Sequence, residues 1–319
     1  MRLSVQAPAA VVLVRPHHFS PNPDTAVDNL FQSSDDRRGV AAIAAAAFDE
    51  VTNVADALES AGVDVHLFDD TETHRPDSVF PNNWFSTHSG GHLAMYPMFS
   101  PSRRAERRSD IIETLKKQYR VQDVIDYSGL EHDDVFLEGT GAMVLDHLTR
   151  IAYTARSNRA NPIALERFCT NFGYEPMAFD AGDEAGIAVY HTNVMMCVAT
   201  DFAMVGLDMI ADVERRQQVV DRLVSPGRTI IDLTHEQIRH FAGNAIELQG
   251  SGGRVLALSK RAHESLTNVQ REAISQSCTL LPLDVPTIEL AGGSVRCMIA
   301  GIHLDARPAR TAVSTRDVA

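Results

Sequence analysis

The chain lacks the features that mark membrane proteins and nucleic-acid-binding proteins. No apolar run approaches the ~20 residues that a transmembrane helix needs, and the first apolar stretch is soon broken by Arg15 and Pro16. Basic residues are outnumbered, with 29 Lys and Arg against 42 Asp and Glu and a formal charge of -13, which disfavours a phosphate-binding surface. These absences predict a cytoplasmic protein without a membrane or nucleic-acid partner.

Cysteine is scarce, and its spacing indicates neither a zinc site nor a disulfide framework. Cys169, Cys197, Cys278 and Cys297 are widely separated and form no CxxC or CxH pair. The 13 histidines include no HExxH spacing, and the glycine-rich turns do not form GxGxxG or Walker patterns. We therefore expect reduced thiols, no bound metal and no organic cofactor.

Short apolar runs alternate with helical stretches along the chain, which predicts a mixed α/β protein. Residues 10–15 and 63–69 have strand composition, and residues 39–61 between them have the spacing of a helix closed by Gly62. Similar units of two or three strands with one helix follow, with no linker-like segment and no repeat of fixed period. We predict one catalytic domain over residues 1–306 and a polar tail at 307–319.

Later segments are predicted in the same way. Strands are expected around 79–87, 135–145, 187–198 and 294–304, and a helix is expected at 261–275. Residues 16–38 are rich in Pro, His, Asn and Asp and lack periodicity, so they form a long loop. Long loops in compact domains are often functional, which makes this one a candidate lid.

Four polar clusters interrupt the strand-like segments. They are DSVFPNN (77–83), FLEGTG (136–141), YHTN (190–193) and GGSVRC (292–297). Cys297, His191 and Glu138 in these clusters could supply a nucleophile, a general acid/base and a group that orients the substrate. The reactive thiolate would need a cationic neighbour, for which Arg296 or protonated His191 is available. Each residue alone also fits a structural role, as a buried thiol, a core histidine or a capping carboxylate.

Taken in order, these motifs resemble the guanidino-group-modifying superfamily of arginine deiminases, dimethylarginine hydrolases and amidinotransferases. The matching segments are PDSVF (76–80) with NN (82–83), PSRRAE (101–106), FLEGTG (136–141), ARSNRAN (155–161), HTN (191–193) and GGSVRCM (292–298). The likeness is strongest to citrulline-utilisation hydrolases, which are similar in RPxxFxxNPxT, SVFPNNWFS and YHTNVMM. The resemblance implies a five-bladed α/β propeller of repeated strand-strand-helix-strand units.

The resemblance also implies roles for individual side chains. Glu138, His191 and Cys297 become the catalytic residues of a hydrolase acting on linear C–N bonds. Arg103 and Arg159 become clamps on a substrate α-carboxylate, because the planar guanidinium makes two parallel hydrogen bonds to a carboxylate. The implied substrate-binding residues are Asp77, which would meet the α-ammonium group, and Asn82, Asn83, Arg103, Arg159 and Asn193. Arg104, Arg156 and Arg296 stay open as alternative clamps.

Two departures from the superfamily pattern bear on the substrate. Arginine deiminases carry carboxylates where Asn83 and Asn193 stand, and those carboxylates bind the cationic guanidinium. Amides offset no charge but offer donors to a neutral carbonyl. We therefore predict cysteine-dependent hydrolysis of the ureido group of citrulline or a close analogue, through a thiocarbamoyl intermediate, to ornithine, carbon dioxide and ammonia.

The alternatives are an arginine deiminase or dimethylarginine hydrolase, then an amidinotransferase, and last a non-catalytic binding propeller. A further departure, Gly139-Thr140-Gly141 where deiminases carry Gly-Gly-Asp, leaves open what supports Glu138. The expected partner is a small amino-acid substrate. Whether the chain forms a homo-oligomer is also left open.

Overall fold

The protein is described by a computed structural model that covers residues 4–26, 28–35 and 37–308. Over that part of the chain it contains five three-stranded sheets. The strands are β1 (Ala10–Pro16), β2 (Asp64–Asp70), β3 (Phe85–His88), β4 (His92–Met95), β5 (Asp123–Asp126), β6 (Met143–Asp146), β7 (Ile151–Ala155), β8 (Glu175–Phe179), β9 (Met196–Val198), β10 (Phe202–Val205), β11 (Thr229–Asp232), β12 (Ile246–Gly250), β13 (Gly253–Ser259), β14 (Thr279–Leu283) and β15 (Ala300–Ile302). The helices are α1 (Val40–Ser60), α2 (Ser109–Gln118), α3 (Gly139–Ala142), α4 (Pro162–Phe172), α5 (Val213–Val224), α6 (His235–Arg239), α7 (Lys260–Ser265), α8 (Asn268–Ser275) and α9 (Val295–Met298).

All five sheets have the same strand arrangement. The middle strand pairs antiparallel with the first strand and parallel with the third, as β4 does with β3 and β5. A parallel pair needs a crossover connection, and a helix lies in the crossover of every sheet. The predicted mixed α/β architecture of five repeated units, a five-bladed propeller, is confirmed.

One sheet joins the two ends of the described chain. Its order is β15-β1-β2, so the last strand pairs antiparallel with the first. Of the predicted tail at 307–319, residues 309–319 lie outside the described residues. The backbone amide of Arg307 donates to the Gln118 carbonyl at 2.8 Å, so the predicted tail begins at a residue that is tied to the end of α2.

Helix α1 shows how the units pack. Its buried residues recur every three or four positions, the spacing of one helix face: Ile43, Ala47, Val51, Val54 and Leu58. They pack with Val11 and Leu13 of β1 in one apolar cluster. No helix in the described part of the chain is both long enough and apolar enough to cross a membrane.

The strands predicted around 79–87, 135–145, 187–198 and 294–304 were wrong over their polar portions. Each strand begins later, and a short helical turn precedes it: 3-10 turns Pro81–Asn83 and Thr192–Val194, and the one-turn helices α3 and α9. Turn hydrogen bonds explain the difference, since the amide of Cys297 donates to the Ser294 carbonyl at 3.0 Å. Burial is similar in a turn and in a strand, so apolar content did not separate the two.

The helix predicted at 261–275 is two helices, α7 and α8. Thr267 ends the first and begins the second, because its hydroxyl accepts from the Gln270 amide while the Gln270 side chain accepts from the Thr267 amide. This reciprocal capping box is a helix start signal inside an otherwise helical pattern.

Candidate active site

The first strands of the five sheets surround the propeller axis. Residues of β3, β6, β9, β12 and β15 together line a cavity of about 50 Å³, which we call the central cavity. The helical turn before β3 contacts α3 and α9, and the turn before β9 contacts α3. The four polar clusters found in the sequence lie in these turns and are therefore brought together.

His191 and Glu138 form a buried pair. His191 Nε2 lies 2.9 Å from Glu138 Oε2, and both side chains are almost fully buried. Glycine is needed beside them, because a Cβ on Gly141 would lie 2.7 Å from His191 Nδ1. Gly139 has a φ of +46°, and a Cβ there would lie 2.5 Å from the Asn82 carbonyl oxygen. The Thr140 hydroxyl donates to the same carbonyl at 3.2 Å, which ties the turn that carries Glu138 to its neighbour.

Charges around this pair set its protonation. Burial raises the pKa of Glu138. Arg159, His191 and Arg103 lower this pKa by more than burial raises it, so it lies far below its usual range. The Phe99 amide also donates to Glu138 Oε1 at 3.0 Å. Burial lowers the pKa of His191, and Glu138 only partly offsets this. The pair is therefore a carboxylate and a neutral imidazole at neutral pH.

Two side-chain amides point at the sulfur of Cys297. Asn193 Nδ2 lies 3.3 Å and Asn244 Nδ2 lies 3.2 Å from Cys297 Sγ. N–H donors stabilise the ionised form of an acceptor. A sulfur held between two such donors is suited to reaction as a thiolate.

Asn244 was missed in the sequence. It lies in the loop before β12, so it supplies a polar side chain from the fifth sheet. Its Nδ2 also donates to the Asn193 carbonyl at 2.9 Å, and its Oδ1 accepts from the Arg296 amide at 3.1 Å. The available signal was a polar GN pair directly before the apolar strand, as in the other clusters.

Asn83 connects the nucleophile side of the site to Arg103. In the amide orientation that satisfies its neighbours, its oxygen accepts from Arg103 Nη1 and Nη2 at 3.0 and 3.2 Å. Its nitrogen donates to Asn82 Oδ1 at 3.1 Å, which leaves one N–H of Asn83 for another acceptor. Asn82 is fully buried beside it.

Arg103 is held by protein carboxylates. Its Nε and Nη2 donate to the two oxygens of Glu106 at 2.9 and 2.8 Å, in a buried two-point contact. Nε also lies 3.7 Å from Asp77 Oδ2, and Nη1 lies 3.6 Å from Glu138 Oε2. Arg103 is thus at the site, but its guanidinium edge is occupied by Glu106.

Arg159 is likewise paired, with a residue of the long loop. Its Nε donates to Asp28 Oδ2 at 3.1 Å and its Nη2 donates to Asp28 Oδ1. Nη1 lies 3.5 Å from Glu138 Oε2, and the guanidinium stacks over the Tyr190 ring at 4.9 Å. Both predicted carboxylate clamps therefore reach the site while binding side-chain carboxylates.

Asp77 is a buried carboxylate that can accept a further hydrogen bond. Its Oδ2 accepts from Asn22 Nδ2 at 2.9 Å, whereas its Oδ1 has no hydrogen-bond partner among the described residues. Burial raises its pKa, and Arg103 partly offsets that effect. Asp77 is positioned to accept a hydrogen bond from a ligand.

Residues 17–38, which we call the covering loop, close the site; residues 27 and 36 within it are outside the described part. Asn22 and Asp28 make the contacts given above, and Asn29 Nδ2 donates to the Ala291 carbonyl at 3.0 Å. The remaining space, which Cys297, His191 and Asp77 help to line, is about 20 Å³. That is room for about one water molecule. The space under the covering loop is therefore too small for an amino acid.

The alternative clamps lie elsewhere. Arg104 Nε is 3.4 Å from Glu131 and Arg156 Nη1 is 3.2 Å from Asp180, and both arginines are partly exposed. Arg296 lines the central cavity. Of the described residues, no group of three or more His, Cys, Asp and Glu side chains is arranged to hold a metal ion.

Comparison of solved structures finds the same fold. The N-terminal domain of the cyanobacterial arginine dihydrolase ArgZ, solved with substrate, has a TM-score of 0.72 at 14% identity over 92% of this chain and 97% of that one. A dimethylarginine dimethylaminohydrolase, solved as an adduct with S-methyl-L-thiocitrulline, has a TM-score of 0.60 at 14% identity over 92% and 99%. AgrE, solved with ornithine and NAD+, has a TM-score of 0.72 at 15% identity. This chain spans only 40% of the length of AgrE.

Sequence comparison assigns the family. No curated protein matched the chain. The family model described as N,N-dimethylarginine dimethylhydrolase, eukaryotic, matches residues 15–304. The chain therefore belongs to this family of hydrolases, within the guanidino-group-modifying superfamily that its motifs predicted.

Proposed function

We propose that the chain hydrolyses the ureido group of citrulline, or of a close analogue, to ornithine, carbon dioxide and ammonia. The observation that carries the proposal is the set of neutral amides around the sulfur: Asn193 and Asn244 donate toward Cys297, and Asn83 lines the same small space. A ureido group is neutral and its oxygen accepts hydrogen bonds. A buried guanidinium would instead need counter-charges at these positions.

The reaction begins with addition of the Cys297 thiolate to the ureido carbon. The carbonyl π-bond opens, and the oxygen of the tetrahedral intermediate takes the negative charge, which amide donors stabilise. The C–N bond to the terminal nitrogen then breaks and releases ammonia. The product is a thiocarbamoyl group that links the sulfur to the δ-nitrogen of ornithine.

His191 transfers protons during the reaction, and Glu138 positions the ureido group. The neutral imidazole accepts the thiol proton and passes it to the departing nitrogen. It then takes a proton from water, whose oxygen attacks the thiocarbamoyl carbon and releases the thiolate. The resulting carbamate of ornithine loses carbon dioxide. Glu138 accepts hydrogen bonds from the ureido N–H groups and holds the carbon in line with the sulfur.

The other end of the substrate is an α-amino acid. Asp77 Oδ1 is open to an ammonium group, and Arg159 is the guanidinium that a substrate carboxylate reaches by displacing Asp28. These side chains come from different sheets and from the covering loop. We therefore also propose that residues 1–306 act as one catalytic domain.

A second candidate is hydrolysis of arginine or a methylated arginine with the same three residues. The family match favours it, and Glu138 offers one carboxylate to a guanidinium. It differs from the first candidate in the group that is attacked and in the first product.

Purified protein incubated separately with citrulline, arginine and dimethylarginine separates the candidates. Ornithine and labelled carbon dioxide from ureido-¹³C citrulline, absent with Cys297→Ala, support ureido hydrolysis. Citrulline that accumulates from either arginine compound, with no ornithine from citrulline, contradicts it and supports the second candidate.

A further inference from the structure

Arg296 and Cys297 are consecutive residues that line different spaces. Cys297 faces the small space under the covering loop, whereas Arg296 lines the central cavity. Both belong to the single turn of α9. The charges of the two side chains interact across this turn.

The Arg296 guanidinium has few partners in the described part of the chain. Its Nη1 donates to the Ile299 carbonyl at 2.9 Å, which uses one of its five N–H groups. The groups that favour its charged form are the thiols of Cys297 and Cys197, with no carboxylate among them. Arg296 is only partly exposed. A guanidinium held largely away from bulk water is normally paired, because an unpaired desolvated charge is costly.

The groups around Arg296 do not supply its missing counter-charge. His147 and His303, whose rings stack at 3.8 Å, line the same cavity. Burial and then the charge of Arg296 lower the pKa of His303 to about 4, so its ring is neutral. Glu247 also lines the cavity, but its oxygens accept from Arg254 Nη1 at 3.2 Å and from the Thr200 amide at 2.8 Å.

We propose that the central cavity is a binding site for a small monovalent inorganic anion, of the size of chloride or bicarbonate, held by Arg296. The volume of about 50 Å³ exceeds the roughly 10–15 Å³ that one water needs, which is room for a small anion. The N–H groups of Arg296 that open to the cavity are the donors.

Binding of an anion has a defined effect on the nucleophile. Arg296 is the cation nearest in sequence to Cys297, and its field favours the thiolate. An anion beside Arg296 cancels part of that field and slows reaction at the sulfur. The site would thus make the reactivity of Cys297 depend on the anion present.

Alkylation of Cys297 by iodoacetamide tests this without substrate. The rate, followed by mass spectrometry of the Cys297 peptide, is compared at one pH and ionic strength in sodium chloride and in sodium gluconate, whose anion is too large for the cavity. We expect several-fold slower alkylation in chloride. Arg296→Met should slow alkylation in gluconate and remove the chloride effect, whereas the exposed Arg222→Met should behave as wild type.

Crystals grown with bromide give the position of the anion. An anomalous peak within hydrogen-bond distance of Arg296, together with the chloride effect, supports the site. A peak without a chloride effect is an adventitious ion only and overturns the proposal, as does an effect that survives in Arg296→Met. If Arg296→Met does not fold, Arg296→Lys is used in its place. We then expect chloride to slow alkylation of Cys297 less than it does in the wild type. These results are independent of whether citrulline is turned over.

Discussion

Asp28 and Arg159, 131 positions apart in sequence, meet in a two-point ion pair across the mouth of the site. The carboxylate of the covering loop thus occupies the guanidinium that was predicted to clamp the substrate. A substrate α-carboxylate and Asp28 cannot both bind the same edge of Arg159. If Arg159 is the proposed clamp, the covering loop competes with the substrate for it.

Asp28→Asn should lower KM for the amino-acid substrate roughly 10- to 150-fold with little change in kcat, because a charge-assisted contact worth about 1.5–3 kcal/mol no longer competes. Steady-state kinetics measure this. Asp24→Asn, an exposed carboxylate on the same loop, is the matched control and should leave KM unchanged. A higher KM in Asp28→Asn would mean that Asp28 binds the substrate itself.

Asn244→Ala should reduce kcat roughly 5- to 150-fold and slow alkylation of Cys297 near neutral pH, because the sulfur loses a donor worth about 1–3 kcal/mol. KM should change little. Asn171→Ala, which removes an amide that donates to the Tyr127 hydroxyl far from the sulfur, should keep wild-type kinetics. Equal kinetics in Asn244→Ala and wild type would show that the amide only fills space.

Asn83→Asp combined with Asn193→Asp should shift the preference from citrulline toward arginine. The two carboxylates supply counter-charges for a guanidinium and remove donors that a ureido oxygen needs. The ratio of kcat/KM for the two substrates measures the shift, and Asn171→Asp is the charge control. An unchanged ratio of kcat/KM would show that these two amides do not determine which substrate the enzyme prefers.

Acid should destabilise the wild type more than His303→Gln. The folded-state pKa of His303 is lowered to about 4 by burial, against 6.5 in the unfolded chain, so the unfolded state binds the proton first. The contribution of the neutral His303 ring to the free energy of unfolding is fully present above about pH 6.5. About 3 kcal/mol of it is lost as the pH falls toward 4. Urea unfolding at several pH values measures the difference between the two proteins.

The variant comparison is needed because other groups titrate in this range. Burial raises the pKa of Glu106 to about 7, so the folded state binds this proton before the unfolded state does. Glu106 therefore makes the protein more stable as the pH falls, whereas His303 makes it less stable. A difference between wild type and His303→Gln that stays constant with pH would contradict the assignment to His303.

The alternation of strands and helices was predictable because each unit buries one face of a helix on a sheet. The fivefold repetition was not, since the crossover helices range from the 21 residues of α1 to the 6 of α7 and the 8 of α8, and no sequence period survives. Asn244 was hidden for the same reason: it is equivalent to the other cluster residues only in space. The Asp28–Arg159 pair was unpredictable because the covering loop has no periodicity to place it.

The pairing of β15 with β1 has a consequence for the order in which activity appears during synthesis. α9, which carries Cys297, directly precedes β15, the last strand of the described chain. Glu138 and His191 are made before Cys297, which follows His191 by 106 positions. A nascent chain therefore has the proposed acid–base pair before it has the proposed nucleophile, and Cys297 is set in place only when β15 pairs with β1.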